Sequence, residues 1–276
     1  MQIITDTASL YSPSEGRELG ITVIPSCVLI EGKAYRDYED ISSEECLKLI
    51  GEGAIPTTSQ PAIGDVLDIL EDNEDDVLYL SIGDGLSGAY QNAVGAKNSV
   101  EHNKKIHIID TGTLAGAQRY LVQKAVKLRK SGFSIEKIIE ELYKCIETSV
   151  SFVIPEDFEF LKRSGRLTPI AAKIGGLIKI VPVLTQTADK KRIAPFVIKR
   201  SVKKAMEAIM AHLRALGVDE NYLISIGHAG AYEKAKAALE QIKTEFTNTT
   251  TEILQLAPAL MTHGGPGCIT IQAIRK

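Results

Sequence analysis

Residues 77–90 read VLYLSIGDGLSGAY, and this stretch indicates the fold class most directly. The apolar run 77–82 predicts a buried strand, and residues 89–100 are compatible with a helix. Between them, three glycines within GDGLSG allow a sharp turn and the close approach of another molecule. Ser87 would lie near the first turn of the helix, where free N–H groups attract a polar guest, above all an anion.

The sequence before about residue 150 repeats this alternation of strands and helices. Alternation of this kind predicts an α/β domain over residues 1–150, with a mostly parallel sheet flanked by helices on both faces. Strands are predicted at residues 2–5, 22–30, 77–82 and 105–109, and helices at 44–52, 63–71, 89–100, 114–131 and 135–148.

Residues 151–276 predict a second α/β domain, whose sheet is mixed and partly antiparallel. The boundary depends on this change of pattern, because no Gly/Ser-rich linker separates the halves. Strands are predicted at residues 151–154, 180–184, 193–198, 222–226, 252–256 and 268–274, and helices at 157–163, 171–177, 201–216 and from about 231 to 245.

Composition excludes several classes of protein. A chain of 276 residues with 44% hydrophobic and 24% charged residues is typical of globular proteins. The formal charge of −3 gives no general attraction to nucleic acid or acidic membranes. Cys27, Cys46, Cys145 and Cys268 are scattered without metal-ligand spacing, which indicates free thiols in a reducing compartment and no metal. With no signal-peptide pattern or membrane-length apolar run, we expect a soluble, cytoplasmic protein.

The glycine turn matches a dinucleotide-binding fingerprint. Gly83-x-Gly85-x-x-Gly88 follows a predicted strand and precedes a predicted helix. Asp110 ends the next predicted strand, where such folds place an acid for the ribose. The turn is not the first βα turn of the chain, which weakens the match. A nucleotide- or NAD-dependent enzyme is therefore an alternative.

A nucleophile elbow is a second hypothesis for the same turn. The elbow pattern is Gly-x-Ser-x-Gly, whereas here Ala89 follows Ser87 and Gly88 in place of the last glycine. A hydrolase would also need a base, for which His228 and His263 are the candidates. A serine in such a turn more commonly caps a helix, so the structural role competes with the catalytic one.

A carboxylate-binding site is a third hypothesis. Thr58 and Ser59 lie between two prolines, and their hydroxyls, like that of Ser87, are neutral hydrogen-bond donors. His263 lies in a glycine-rich segment that we interpret as a turn. Such groups suit a single carboxylate, which needs fewer hydrogen bonds than a phosphate. The hypothesis requires the fold to bring these residues together.

Motifs in this order along the chain resemble the DegV family of bacterial fatty-acid-binding proteins, whose FakB-type members serve a fatty acid kinase system. The resemblance extends over nearly the whole chain, and the Thr-Ser-Gln-Pro and His-x-Gly-Pro-Gly motifs at this separation are its most specific part. The matching segments are ITDT at residues 4–7, IP at 24–25, GKAYRD at 32–37, TTSQP at 57–61, LSG at 86–88, DT at 110–111, FLKRSGRL at 160–167, KRS at 199–201 and HGGPG at 263–267.

The resemblance implies two α/β domains with a long acyl chain in an apolar tunnel and its carboxylate near the domain junction. Thr58, or its neighbour Ser59, would hydrogen-bond the carboxylate together with Ser87 and His263. Gly88 would let the head group come close. The bound fatty acid would be the ligand, and the resemblance implies no cofactor.

The resemblance also implies a protein partner. A separate fatty acid kinase would use ATP to convert the bound acid to an acyl phosphate for phospholipid synthesis, so that the chain itself is a carrier and not an enzyme. Arg166 resembles a family arginine that orders the head-group region. Arg200 resembles part of a basic surface for the kinase, with Lys199, Lys203 and Lys204.

Two details qualify the resemblance. The family commonly has Thr after Leu-Ser-Gly, whereas Ala89 stands here, so one hydroxyl is missing from the expected head-group region. Small and branched apolar residues after Thr168 are candidates for the lining of the tunnel, although ordinary core packing explains any one of them equally well. These candidates are Ile170, Ala171, Ala172, Ile174, Gly175, Gly176, Leu177 and Ile178.

Overall fold

The computed structural model describes residues 1–73, 75–101, 103–174 and 180–276, and these form two compact units. Unit 1 comprises Met1–Glu147 and Ala257–Ala259. Unit 2 comprises Thr148–Leu256 and Leu260–Lys276. Both combine strands and helices, which confirms the predicted α/β class.

Unit 1 contains a parallel sheet, a small antiparallel sheet and the helices that cover them. Its strands are β1 (Gln2–Asp6), β2 (Thr22–Ile24), β3 (Cys27–Ile30), β4 (Lys33–Arg36), β5 (Thr57–Ser59), β6 (Val77–Ser81) and β7 (Ile106–Asp110). Its helices are α1 (Pro13–Leu19), α2 (Ser43–Gly51), α3 (Ile63–Glu71), α4 (Ala89–Ser99), α5 (Ala115–Lys130) and α6 (Ile135–Ile146).

The parallel sheet has the order β2-β1-β6-β7. All three neighbouring pairs are parallel, as predicted for this half of the chain. Thr5 pairs with Leu80, and Ser81 pairs with Asp110. The carboxyl ends of β1, β6 and β7 therefore meet at one edge, which is where open α/β sheets commonly bind ligands.

Helices cover both faces of this sheet, as the alternating pattern predicted. On one face, Ile4 and Tyr79 pack with residues of α3 and α4, among them Leu70 and Ala93. Successive strand residues point to opposite faces. Leu80, which has no exposed surface, therefore faces the side on which α5 lies against β1 and β6.

The predicted strand over residues 22–30 is wrong in one respect, because it is two strands in different sheets. β2 joins the parallel sheet, whereas β3 forms an antiparallel sheet in the order β4-β3-β5. Pro25 follows β2 and lacks the N–H that would continue a ladder, which explains the break. β5, which pairs with β3, contains the first three residues of the TTSQP motif.

Helix α1 was absent from the predicted elements, although its signals are clear in the sequence. Ser12 Oγ accepts the N–H of Glu15 at 3.2 Å, and the Glu15 side chain accepts the N–H of Ser12 at 2.8 Å. Pro13 occupies the first helical position. Ser-Pro-x-Glu is thus a capping box with proline where helices tolerate it best.

Unit 2 is built on a mixed sheet in the order β10-β9-β8-β13-β11-β12. β11 and β12 are parallel and the other neighbouring pairs are antiparallel, which confirms the mixed, partly antiparallel prediction. The strands are β8 (Val150–Ile154), β9 (Val181–Gln186), β10 (Ile193–Lys199), β11 (Tyr222–His228), β12 (Thr250–Gln255) and β13 (Ile269–Arg275). The helices are α7 (Phe158–Arg163), α8 (Val202–Ala215), α9 (Tyr232–Lys243) and α10 (Pro258–Gly264).

The sheet of unit 2 packs against α8 and α9. Phe152 and Ile226 of the sheet lie in one core cluster with Ile209 of α8 and Ala238 of α9. The amphipathic spacing of residues 201–216 predicted this packing for α8. Ser201 caps the helix by accepting the N–H of Lys204 at 3.3 Å.

The predicted helix at residues 171–177 differs from the structure where it can be compared. Ala171–Lys173 form a short 3₁₀ turn, and Ile174 follows outside any helix. Gly175, Gly176 and Leu177 lie outside the described residues, as does Ile178.

Within the described ranges, we find no helix that is both long and apolar enough to cross a membrane.

Candidate functional site

The glycine turn connects β6 to α4, and each of its glycines has a separate structural reason. A Cβ at Gly83 would lie 3.0 Å from the carbonyl carbon of Gly112, so a side chain would collide with backbone. Gly85 has φ of +86°, which side chains disfavour. A Cβ at Gly88 would lie 2.1 Å from Oε1 of Gln60, whose side chain covers this point. The backbone therefore favours glycine at positions 83 and 85, whereas at position 88 the exposed Gln60 side chain could move aside.

Asp110 holds the turn from the end of β7. Its Oδ1 accepts the N–H of Asp84 at 2.9 Å and the N–H of Gly112 at 2.9 Å. These bonds give Asp110 a structural role in the turn, and the oxygen that makes them is already engaged. The dinucleotide hypothesis assigned this residue to a ribose, so the geometry favours the structural explanation.

Ser87 lies directly before Gly88, the N-cap residue of α4, and is half-buried. Its Oγ accepts the N–H of Ala89 at 3.2 Å. A hydroxyl that accepts one hydrogen bond still has its own hydrogen to donate. Among the described residues that hydrogen has no acceptor, so Ser87 is prepared to donate to a ligand. The prediction that Ser87 caps the helix is wrong, because Gly88 is the N-cap residue and no side chain caps α4.

The structure brings the TTSQP motif next to the glycine turn. Gln60 lies over Gly88, and Nδ2 of Asn92 in α4 donates to the carbonyl of Pro61 at 2.9 Å. Two motifs separated by about 25 residues in sequence thus form one polar region of unit 1. Gln60 and Asn92 were not predicted as site residues, although Gln60 belongs to the motif that indicated the site.

Thr58 and Ser59 occupy opposite faces of β5. Thr58 is half-buried, whereas Ser59 is exposed and its Oγ donates to the carbonyl of Gln60 at 3.2 Å. Successive side chains of a strand point in opposite directions. The two hydroxyls therefore face different surroundings, and Thr58 is the better candidate for a ligand inside the protein.

His263 lies in the last turn of α10, so the prediction that it belongs to a glycine-rich turn is wrong. The glycines begin one residue later, and the helix fixes the backbone of His263. Burial, aided by the charge of nearby Arg166, lowers the pKa of His263 to about 3. The imidazole is therefore neutral near pH 7.

Arg166 and His263 belong to neighbouring motifs of unit 2. The Arg166 guanidinium donates to the carbonyl of Ser164, and its backbone N–H donates to Ser164 Oγ at 3.2 Å. A Cβ at Gly265 would lie 2.7 Å from the ring of Phe160, so the HGGPG segment packs closely on the FLKRSGRL segment. The structure thus brings together the two motifs of the second half that the sequence singled out.

Arg200 lies in an exposed basic surface at the beginning of α8. Arg200, Lys203 and Lys204 are exposed, and Lys199 is half-buried at the end of β10. Positive charges at a helix N-terminus oppose the helix dipole at a cost of roughly 0.3–1 kcal/mol each. The surface is thus electrostatically unfavourable for α8 itself.

Asp6 was not predicted as a site residue, yet its carboxylate is fully buried at the edge where the glycine turn begins. Burial raises the pKa of Asp6 to about 6, although backbone and side-chain hydrogen bonds oppose the shift. Gln118 of α5, also fully buried, donates to Asp6 Oδ1 at 3.1 Å. Gln118 interrupts an otherwise apolar helix face, and this was the signal in the sequence.

Asp37 is a second buried carboxylate that was not predicted. Its Oδ2 accepts the hydroxyl of Thr7 at 2.8 Å, and its Oδ1 accepts the N–H of Ala259 at 3.0 Å. Burial raises the pKa of Asp37 to about 7. The contact with Ala259 joins residues 222 positions apart, which no local pattern indicates.

His228 was the other candidate base of the hydrolase hypothesis. His228 lies in β11, is buried, and packs edge-on against Tyr232 with ring centroids 5.8 Å apart. Burial lowers the pKa of His228. A search of the described residues finds no cluster of His, Cys, Asp and Glu able to hold a metal ion.

Comparison with known families gives a match over the whole chain. The family model described as "Uncharacterised protein, DegV family" matches residues 1–276. A DegV domain-containing protein of Caldanaerobacter subterraneus is 30% identical over 268 residues, covering 96% of this chain and 95% of that protein. Another from Listeria monocytogenes is 30% identical over 277 residues, covering 97% and 95%.

Solved structures of other proteins have a similar fold over the full length of this chain. A fatty-acid-binding DegV family protein from Thermus thermophilus is 28% identical with a TM-score of 0.89, covering 100% of this chain and 99% of that chain. DegV from Bacillus subtilis, described as a fatty acid binding protein, is 28% identical with a TM-score of 0.85 and the same coverage. A fatty-acid-binding DegV family protein from Streptococcus agalactiae is 26% identical with a TM-score of 0.87.

Replacing Gly83 by alanine should damage the turn. The new Cβ would contact backbone atoms of Gly112 and Thr113 at 3.0–3.2 Å, and we expect a loss of about 1–3 kcal/mol of stability, measured by urea unfolding. Gly95→Ala is the matched control, because Gly95 lies in α4 with open space around it and alanine should stabilise the helix by about 0.5–1 kcal/mol. Equal effects of both substitutions would contradict the proposed packing.

Asp37→Asn should change how stability depends on pH. Folding raises the pKa of Asp37 from 3.8 to about 7, so its contribution is fully present below pH 3.8 and is lost as pH rises through 7. The variant has no carboxylate to ionise. Its melting temperature relative to the native protein should therefore rise by at least about 2 °C between pH 5 and pH 8.

The exposed Asp72 provides the control for this measurement. Asp72→Asn makes the same substitution at an exposed position, so it measures the effect of the substitution without burial. A melting-temperature difference for Asp37→Asn that does not change between pH 5 and pH 8 would show that burial of its carboxylate has no energetic consequence.

Proposed function

The chain belongs to the DegV family, and on that premise we propose that it binds a long-chain fatty acid and presents the carboxylate to a separate ATP-dependent kinase. The kinase would form an acyl phosphate for phospholipid synthesis in the cytoplasm. The chain itself would act as a carrier and not as an enzyme. The observation that most supports this proposal is the hydroxyl hydrogen of Ser87 in the glycine turn, for which the described residues provide no acceptor.

Ser87 would donate its hydroxyl hydrogen to one carboxylate oxygen of the fatty acid. Its orientation is already set by the bond from Ala89 N–H, so little entropy is lost on binding. Gly88, which has no side chain, would let the head group approach the beginning of α4 once the exposed Gln60 side chain moves aside. Thr58 of β5, or Ser59 beside it, would supply a second hydroxyl.

His263 would complete the set of donors as a neutral imidazole. Its pKa, lowered to about 3, keeps it uncharged over the physiological range. Arg166 would act indirectly, by favouring the neutral form of His263 and ordering the segment around Ser164. Neutral donors orient a carboxylate without neutralising it, which leaves its oxygen nucleophilic towards a phosphoryl group. Ala89 contributes no hydroxyl, so the head group would depend more heavily on Ser87.

The acyl tail would supply most of the binding free energy. Burial of each CH₂ group contributes about 0.8 kcal/mol, so a long chain makes available on the order of 10 kcal/mol before ordering costs. Among the predicted lining residues, Ala171 is fully buried and Ile170 is 73% exposed, which leaves a large apolar side chain available to a ligand. The role of these residues in a tunnel is part of the proposal.

Arg200, Lys203 and Lys204 would bind an acidic surface of the kinase. Their exposure and shared sign suit long-range attraction of an anionic partner, which raises association rates and is reduced by salt. This surface would raise the rate at which the kinase associates with the carrier, and it would not change the affinity for fatty acid.

Native mass spectrometry of the freshly purified protein should show a copurified long-chain fatty acid. Ser87→Ala should then weaken fatty-acid binding by roughly 10- to 150-fold, corresponding to about 1.5–3 kcal/mol for a hydrogen bond to a charged group. Ser99→Ala, at the exposed end of α4, is the control and should bind normally.

An empty protein that ignores long-chain fatty acid in titration would overturn the carrier proposal. The same titration with NAD and ATP tests the nucleotide alternative, which predicts a thermal shift with these ligands and none with fatty acid. Normal fatty-acid binding by Ser87→Ala would remove Ser87 from the head-group site while leaving the carrier proposal intact.

The double substitution Arg200→Ser/Lys204→Ser should slow kinase-coupled formation of acyl phosphate by roughly tenfold at low ionic strength, because electrostatic attraction of the partner is lost. Fatty-acid affinity should not change. Lys236→Ser/Lys243→Ser removes the same charge from exposed positions of α9 and should leave the rate unchanged. Equal rates for both double variants would place the kinase contact elsewhere.

A further inference from the structure

We propose that Asp6 is the positioning residue for Ser87: its buried carboxylate sets the conformation of the glycine turn and thereby the selectivity for a carboxylate head group. The inference depends on the proposed fatty-acid function and extends it to a residue that contacts no ligand. All the contacts that join Asp6 to Ser87 lie within unit 1.

The carboxylate of Asp6 accepts hydrogen bonds from three parts of unit 1. Oδ2 accepts the N–H of Ile82 at 2.9 Å and the hydroxyl of Ser81 at 3.4 Å. Oδ1 accepts the N–H of Ala8 at 3.1 Å and Nε2 of Gln118 at 3.1 Å. The end of β1, the end of β6 and helix α5 are thus joined through one side chain.

The bond to Ile82 is the first of three that fix the beginning of the turn. The next N–H, of Gly83, donates to the carbonyl of Thr113 at 2.8 Å. The N–H after that, of Asp84, donates to Asp110 at 2.9 Å. Three consecutive N–H groups are therefore held, the first from the β1 side and the next two from the β7 side.

The position of Ser87 depends directly on this arrangement of hydrogen bonds. The N–H of Leu86 donates to the carbonyl of Gly83 at 3.1 Å, and Asp84 and Ser87 form a backbone bridge. A shift of Ile82 would therefore pass through a short, closed turn to the hydroxyl of Ser87. Misplacement of a binding group by about 1 Å is enough to lose much of its effect.

An ionised carboxylate fits this position because all four groups that surround Asp6 donate to it. Asparagine has one acceptor oxygen and an NH₂ group, which would face either the Ile82 N–H or the Gln118 NH₂ donor-to-donor. Asp6→Asn should therefore displace either Ile82 or Gln118, while the side chain at position 6 keeps its size and shape. Val66→Ala, a core substitution on α3 with no bond to the turn, is the matched control for a general loss of stability.

The experiment measures dissociation constants for a long-chain fatty acid and for its methyl ester, using the native protein, Asp6→Asn, Ser87→Ala, the double variant and Val66→Ala. Asp6→Asn should weaken binding of the acid by about tenfold and binding of the ester by less than about threefold, because the ester lacks the charged head group. The double variant should bind the acid no more than about threefold more weakly than Ser87→Ala, since both substitutions remove the same interaction. Val66→Ala should preserve the ratio of acid to ester affinity.

Several outcomes would overturn the inference. Losses from Asp6→Asn and Ser87→Ala that multiply in the double variant would show that Asp6 acts independently of Ser87. Equal weakening of acid and ester by Asp6→Asn would show a merely structural role. If Ser87→Ala weakens binding of the acid and Asp6→Asn does not, only the positioning role of Asp6 is contradicted. If Ser87→Ala has no effect, the proposed head-group site fails with it.

Gln118→Met provides the milder variant if Asp6→Asn does not fold. It removes the donor from α5 and leaves the Asp6 carboxylate and its bond to Ile82 in place. A twofold to fivefold loss of acid affinity, with ester affinity unchanged, would support the inference. Unchanged acid affinity in a folded Gln118→Met protein would count against it.

Discussion

The N–H groups that leave β6 need hydrogen-bond acceptors, because the chain turns away from the sheet while it is still buried. Asp6 from β1 accepts the first of these N–H groups, Thr113 after β7 accepts the second, and Asp110 at the end of β7 accepts the third. The parallel register makes this possible, since it places the ends of all three strands at one edge. The glycine turn, and with it the position of Ser87, depends on this local requirement.

Close packing of backbone on side chains explains why the motifs are rich in glycine. In unit 1, Gln60 covers Gly88, and the backbone of Gly112 lies against Gly83. In unit 2, the ring of Phe160 lies against Gly265 in the same way. A side chain at any of these positions would require its neighbour to move, so segments far apart in sequence constrain one another's composition.

The chemistry proposed for the head group follows from a division of free energy between tail and carboxylate. A long apolar tail supplies affinity without any need for a charged partner at the head. Neutral groups such as Ser87 and His263 then suffice to orient the carboxylate, and they leave it reactive for phosphoryl transfer. A permanent ion pair would bind the head group more strongly and at the same time make it a poorer nucleophile.

Several features followed from the sequence by itself. Apolar runs and their periodicity determined the α/β class, the parallel sheet of the first half and the mixed sheet of the second, because burial imposes the same periodicity on any such chain. Ser87 was recognisable as a hydroxyl at the beginning of a helix that could serve as a hydrogen-bond donor to a ligand. The tertiary structure alone decided the rest. It showed that residues 22–30 divide between two sheets at Pro25 and that His263 is helical. It also buried Asp6 and Asp37, whose partners lie up to 222 positions away, and no local pattern encodes which distant donors a buried carboxylate will meet.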